Sequence, residues 1–326
     1  MKITITNKFD WNNNYPIFLS ENYLKTESDE YGWIIGYVDN KIEIVLPFFI
    51  YSKLLFRFLR VTNQTYFLHQ ELQEKNEQEF LDKAIEAVKE LNIDLVMQPT
   101  TNVVFDKVPT NSTYAPFGSY RVDLTQDEET LWKNLHSKHR NVVRNAEKKG
   151  IQVTENSYDI TELYDLVHNT FMRSSMGFMS QEKFQQQIKN LGTNVRVFIA
   201  KTSNGEIQGC AIIPYSLYGG YYLHGGSISK PLTGAMNYLQ WKVMLSLKES
   251  GVLSYDFVGA RVNVQKGSKL EGIQKFKARF GAEFHSGYLW KQPIKPYKAK
   301  LFELIYKLLK KSEGDIIDQE RHKLNV

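Results

Sequence analysis

The chain has 326 residues, 42% hydrophobic and 24% charged, which is enough apolar material for real cores and too long for one average domain, so two domains of moderate size are expected. Its net charge of +5 admits an anionic partner but falls short of the basic field of a dedicated nucleic-acid binder. A lone cysteine, Cys210, excludes an intrachain disulfide and a thiolate metal cluster, and no run of 18 apolar residues can span a membrane, so a cytoplasmic protein is the simplest expectation.

Residues 31–38 and 41–50 are apolar β-type runs joined at Asp39-Asn40, a two-residue turn signal that predicts a hairpin. Residues 54–59 form another short apolar segment. Residues 77–91 have helical periodicity at Phe80, Ala84, Ile85 and Val88, and 93–97 return to strand character. The alternation predicts an α/β or α+β layered unit. Pro109 and Pro116-Phe117-Gly118 mark a loop, residues 120–124 read as the last strand of this unit, and the boundary falls near Thr125.

Thr125 with Glu128 three residues on predicts a helix start, and Asp127, Glu128 and Glu129 suit the positive end of its dipole. Leu131, Leu135, Val142 and Ala146 recur at helical spacing up to Gly150. The other face carries Lys133, Lys138, Arg140, Arg144 and Lys148, equally a solvated face or a binding stripe. A helical pattern at 161–172 precedes strands at 195–200, 205–214 and 219–226, an antiparallel meander in which Cys210 is a buried structural thiol and His224 a structural histidine. A helix over 233–250 closes at Gly251, and a strand at Tyr255 follows.

Within residues 255–281 (YDFVGA, RVNVQKGSKLEG, IQKFKARFG), the loop and the segment after it concentrate Arg261, Lys266, Lys269, Lys275, Lys277 and Arg279 against Glu271 alone. On composition such a set is more often a solvated face. However, Phe276 and Phe280 lie one helical turn apart, so both rings can be buried while Lys277 between them is held in one direction, as a developing negative charge requires. Asp256, between Tyr255 and Phe257 on a buried strand, needs a partner, for which Arg261 and Lys277 are the expected cations.

No H-E-x-x-H spacing, P-loop or Gly-x-Ser-x-Gly elbow is present. The stretch Lys230-Pro231-Leu232-Thr233-Gly234-Ala235 is a poor pyrophosphate loop, since proline removes a donor and the first glycine is missing.

The order of pieces from Ala235 to Gly281, with Leu135–Gly150 (LHSKHRNVVRNAEKKG) as an Arg-rich helix and Thr170-Phe171-Met172-Arg173 as a Thr-x-x-Arg element, resembles the Fem family of peptidoglycan-bridge aminoacyltransferases. The likeness covers 124–290 well and the first third poorly. It implies an α+β fold of two GNAT-like (acetyltransferase-like) subdomains with mixed and antiparallel sheets flanked by helices. The first would take 1–124, the second 125–290, and a C-terminal helix in 291–326 would pack on the first.

The resemblance further implies an acyltransferase that joins an acyl group from aminoacyl-tRNA to an amine of a UDP- or lipid-linked cell-wall precursor, with no tightly bound cofactor. Lys277 would be catalytic through its match to the family's Phe-Lys, and Arg173 would hold acceptor phosphate. Arg261, Lys266, Lys275, Tyr255 and Asp256 complete the expected substrate-binding set. Two other classes stay open: an acyl-CoA-dependent N-acyltransferase acting on an amino sugar or polysaccharide precursor, and a non-catalytic tRNA- or protein-binding module. In the C-terminal helix, 296–311, Leu301, Leu304, Ile305, Leu308 and Leu309 form a stripe expected to pack on the protein. Lys298, Lys300, Lys307, Lys310 and Lys311 would make peripheral contact with an anionic membrane.

Overall fold

The computed structural model describes residues 1–69, 73–309 and 314–324. Strand β1 (Lys2–Thr6) and helix α1 (Glu21–Glu27) lead into the hairpin of β2 (Glu30–Val38) and β3 (Lys41–Lys53). Its turn is the expected one, because Asp39 and Asn40 take φ of 49° and 62°, the left-handed pair that matches the twist of the flanking strands. β4 (Phe56–Val61), β5 (Tyr66–Phe67), α2 (Gln73–Val88) and β6 (Leu95–Val96) follow. The periodic residues Phe80, Ala84, Ile85 and Val88 are buried in one cluster with Ile44, Leu46, Leu59 and Val96 of the sheet.

The middle of the chain forms β7 (Thr113–Asp123), α3 (Glu128–Asn134), α4 (Ser137–Lys148), β8 (Gln152–Glu155), α5 (Ile160–Met172), α6 (Gln181–Leu191), β9 (Val195–Lys201), β10 (Ile207–Pro214), β11 (Gly220–Tyr221), β12 (His224–Ser227) and α7 (Ala235–Glu249). The last third forms β13 (Ser254–Asp256), β14 (Ala260–Arg261), α8 (Lys269–Ala278), β15 (Glu283–Pro293), α9 (Pro296–Leu309) and α10 (Ile316–Leu324). Among the described residues one eleven-stranded sheet runs β1-β2-β3-β4-β6-β15-β7-β13-β11, with β5 and β14 off this path, and a four-stranded sheet runs β12-β10-β9-β8. The fold is α+β, with one mixed sheet and one antiparallel sheet flanked by helices.

β15 joins the two halves of the large sheet. Gln292 and Pro293 pair with Val96 and Leu95 of β6, while the rest of the strand lies antiparallel along β7. β7, read from sequence as ending the first unit, therefore hydrogen-bonds to β13, β14 and β15, all from the last third of the chain. Sequence adjacency alone does not reveal such a pairing.

The helix expected over 125–150 is two helices. Asp127, not Thr125, caps α3, its carboxylate accepting from Thr130 N at 2.8 Å, while Thr125 Oγ1 turns back to Asp123. At the break His136 Nδ1 accepts from Lys138 N, and Arg140 donates to the carbonyls of Lys133 and Leu135 at the end of α3. The buried face of α4 is His139, Val143 and Ala146, one residue away from the expected Val142.

Gly234 precedes α7 with φ of 91°, and a Cβ there would lie 2.3 Å from the Val142 carbonyl oxygen. The close approach of α4 and α7 thus requires glycine. Gly234→Ala is expected to cost about 1–3 kcal/mol and to lower Tm measurably; an unchanged Tm in thermal denaturation would contradict this.

Helix α9 packs Ala299, Phe302 and Ile305 on Phe56, Phe58 and Leu95, with the Phe302 ring 5.3 Å from Phe56 and 4.9 Å from Phe58. Ile305 of the expected stripe lies on this face. Leu301 and Leu304 do not: they are 48% and 57% exposed, because the Phe302 ring, rather than a leucine, is the anchor that turns the helix inward. The side chains of Lys307, Leu308 and Leu309, and residues Lys310 and Lys311, lie outside the described residues.

Candidate active site

The two sheets part at residues 220–227. β11 lies parallel to β13, with Gly220 opposite Tyr255 and Tyr221 opposite Asp256, whereas β12 lies antiparallel to β10. At the crossing Tyr222 N donates to Asp256 O at 2.9 Å. The strand read as one from sequence is thus shared between two sheets, and Asp256 stands at the fork.

Directly paired residues share a face of a sheet, so Tyr221, Asp256, Arg121 and Glu283 form one polar row across β11, β13, β7 and β15. Asp256 is 2% exposed and accepts three hydrogen bonds, from Ser119 Oγ, from Arg121 Nε at 2.7 Å and from Val258 N at 2.7 Å. The last bond folds the chain into a tight turn. Val258 takes φ of 41° and Gly259 of 51°, and the left-handed region is costly for a β-branched residue such as valine.

The carbonyls of these two residues converge on one group. Lys277 Nζ donates to Val258 O and, at 2.8 Å, to Gly259 O. Two of its three N–H bonds are spent there, which leaves one. Burial lowers its pKa to about 8, against the opposing pull of the Asp256 charge. On the same helix Phe280, fully buried, stacks on Phe257 at 5.1 Å, and Phe276, partly buried where full burial was expected, meets Phe280 edge-on at 5.1 Å. His139 of α4 packs against both rings and hydrogen-bonds with Phe276 O at 3.1 Å. Burial lowers the His139 pKa to about 4, so it is neutral at pH 7.

The remaining expected residues separate. Tyr255 is fully buried and donates its hydroxyl proton to Gln240 at 2.5 Å, which places it in the core rather than in a cavity. Arg261 is not a partner of Asp256. It bonds Glu320 at 2.8 Å and Gln319 at 2.7 Å, both on α10, because a helix unread in the sequence brings a fully buried carboxylate over the loop. Lys275 is exposed and paired with Glu271 at 2.8 Å; Lys266 is exposed in the turn before α8. The cations of 261–279 therefore do not make one field.

Arg173 stands apart from Lys277 on its own groove. Its guanidinium donates to Thr170 Oγ1 at 2.9 Å and to Ser227 O, and Ser227 N donates to the same hydroxyl at 3.0 Å. The open groove of about 530 Å³ there includes Asn169, Ser227 and Ser229. Lys269, whose Nζ donates to Ser174 Oγ at 2.7 Å, ties the start of α8 to this rim. A second cavity, about 310 Å³, follows the row of Arg121 and Asp256 and is also lined by Gln64, Tyr218 and His285.

Ser119 and Arg121, the partners of Asp256, were not singled out from sequence. Their signal is the period-2 set Ser119, Arg121, Asp123, alternating with Tyr120 and Val122, which puts three polar groups on one face of a strand.

With the geometry established, residues 107–207 match the model of the FemAB family. No curated protein matches the chain. The crystal structure of FemX superposes with a TM-score of 0.69 at 14% identity, covering 93% of this chain and 100% of that one. A conserved protein of unknown function from Bacteroides thetaiotaomicron VPI-5482 gives 0.52 at 12% identity, covering 84% and 90% of the two chains. The L-PGS from Bacillus licheniformis gives 0.50 at 15%, covering 82% and 85%. Such identities speak for the fold. The family match takes in the Arg-rich helix and the Thr-x-x-Arg element, while residues 255–281 lie beyond it. The family match spans residues 107–207, and the superpositions show that the fold is shared.

Proposed function

We propose that the chain transfers an aminoacyl group from tRNA to an amine of a UDP- or lipid-linked cell-wall precursor. In this reading the units 1–124, with 291–326, and 125–290 frame the site, and tRNA is a transient co-substrate rather than a bound cofactor. The observation that carries it is the buried Lys277 ammonium, aimed by two left-handed carbonyls with one N–H to spare. The acceptor amine attacks the ester carbonyl carbon, the carbonyl oxygen becomes an oxyanion that accepts from Lys277, and the carbon–oxygen bond to the tRNA ribose breaks as the amide forms, the proton lost by the amine ending on the departing ribose hydroxyl. A pKa of about 8 leaves the ammonium charged at neutral pH.

Arg173 would hold the acceptor's phosphate with its guanidinium, so Arg173→Ala is expected to raise KM for the precursor about tenfold and leave kcat nearly unchanged. A fall in kcat at unchanged KM would remove it from this role. The donor is identified by which ligand raises Tm: uncharged tRNA and a UDP-linked precursor are expected to do so and coenzyme A is not. Stabilisation by coenzyme A alone would replace this reading with acyl-CoA-dependent N-acyl transfer.

A further inference from the structure

Two elements far apart in the sequence carry large apolar side chains into solvent side by side. In the turn between β3 and β4, Leu54 and Leu55 are 67% and 86% exposed, and Leu54 takes a left-handed φ of 56°. On α9, opposite the face that packs on Phe56, the residues Tyr297, Leu301 and Leu304 are 90%, 48% and 57% exposed. Their spacing of four and three residues places them on one stripe. Contact of Phe302 with Phe56, and a hollow of about 240 Å³ lined by Leu54, Leu55 and Lys298, make the hairpin tip and the helix neighbours.

Among the described residues nothing covers this outer face of α9, whose apolar side chains are exposed, and such patches mark interaction surfaces. The charges around this one choose the partner. Over 51–57 and 295–305 the basic residues are Lys53, Arg57, Lys295, Lys298 and Lys300, and Glu303 is the single acid. Lys53, Lys300 and Glu303 are exposed, while Lys295 and Lys298 pair with the buried Asp94. Leucine and tyrosine on a protruding tip and helix, rimmed by lysine, suit the headgroup boundary of an anionic bilayer.

We infer that the β3–β4 tip and the outer face of α9 seat the protein on an anionic lipid surface, the leucines entering the acyl boundary and Lys53 and Lys300 meeting lipid phosphate. This surface is independent of the acyl-transfer reading. It is tested by cosedimentation with vesicles of phosphatidylcholine, with or without phosphatidylglycerol. The intact protein is expected to bind only the phosphatidylglycerol vesicles, more weakly as salt rises. Leu54→Ser/Leu55→Ser and Leu301→Ser/Leu304→Ser, both at exposed sites, should each lower the bound fraction by about tenfold or more with Tm unchanged. Absence of binding by the intact protein overturns the inference, as does binding by both double variants at the level of the intact protein. Self-association that both variants abolish, without vesicle binding, overturns it in favour of a second copy of the chain.

Discussion

Lys277→Met is expected to lower turnover by about 100-fold or more while moving Tm by only a few degrees. Methionine keeps an unbranched stem beside Phe276 and Phe280 and deletes the charge. Two effects on stability oppose each other: the Val258 and Gly259 carbonyls lose their donor, and the cost of burying an ammonium disappears. The transition state has no such compensation, because an oxyanion that forms only there loses its cation. Full turnover in the Met variant would end the catalytic role of Lys277.

The pH dependence has a definite sign. The folded pKa of about 8 lies below the ordinary lysine value of 10.5, so turnover that needs the ammonium should fall as pH rises through about 8. The unfolded chain holds this proton up to the ordinary value, hence between about 8 and 10.5 the unfolded state binds more protons and Lys277 makes folding more favourable as pH rises. Lys277→Met should lose both features. A falling limb near pH 8 retained in the Met variant would assign that limb to another group.

Asp256→Asn is the second large effect. It leaves Arg121, whose side chain is 28% exposed, facing an amide in place of a carboxylate. The expected cost is about 2–3 kcal/mol, below that of breaking a fully buried pair. Because Asp256 Oδ1 also holds Val258 N at 2.7 Å, the turn that aims Lys277 loosens, and turnover should fall by about tenfold or more at temperatures where the variant is fully folded. Asp256→Ala, which removes every acceptor, should fall further. Unchanged Tm and unchanged turnover in Asp256→Asn would contradict both the structural and the positioning role.

Local signals in the sequence were legible where one short stretch decides the structure. Asp39-Asn40 sets a hairpin by its own dihedrals, and the helical spacing of Phe276 and Phe280 brings their rings together on α8, whereas the direction of Lys277 is set by the Val258 and Gly259 carbonyls. What was not legible depends on groups brought from afar. Asp256 meets Arg121 across 135 positions and Arg261 meets Glu320 across 59, so the choice of ion pair follows strand order and the placement of α10, neither of which a local pattern encodes. The division of residues 220–227 between two sheets is invisible for the same reason, since the run looks like one strand until its two partners are known. In α9 the leucine spacing suggested the buried face, and the aromatic pairing of Phe302 with Phe56 and Phe58 decided it otherwise.

The most direct test follows a labelled aminoacyl group in a single turnover, from charged tRNA to the amine of a soluble UDP-linked precursor, with intact protein and Lys277→Met side by side. The expected result is conversion of the ester to an acid- and base-stable amide by the intact protein, slowed by about 100-fold or more in the variant while tRNA still raises the Tm of both. Equal rates of amide formation by the two proteins would contradict a catalytic role for the Lys277 ammonium.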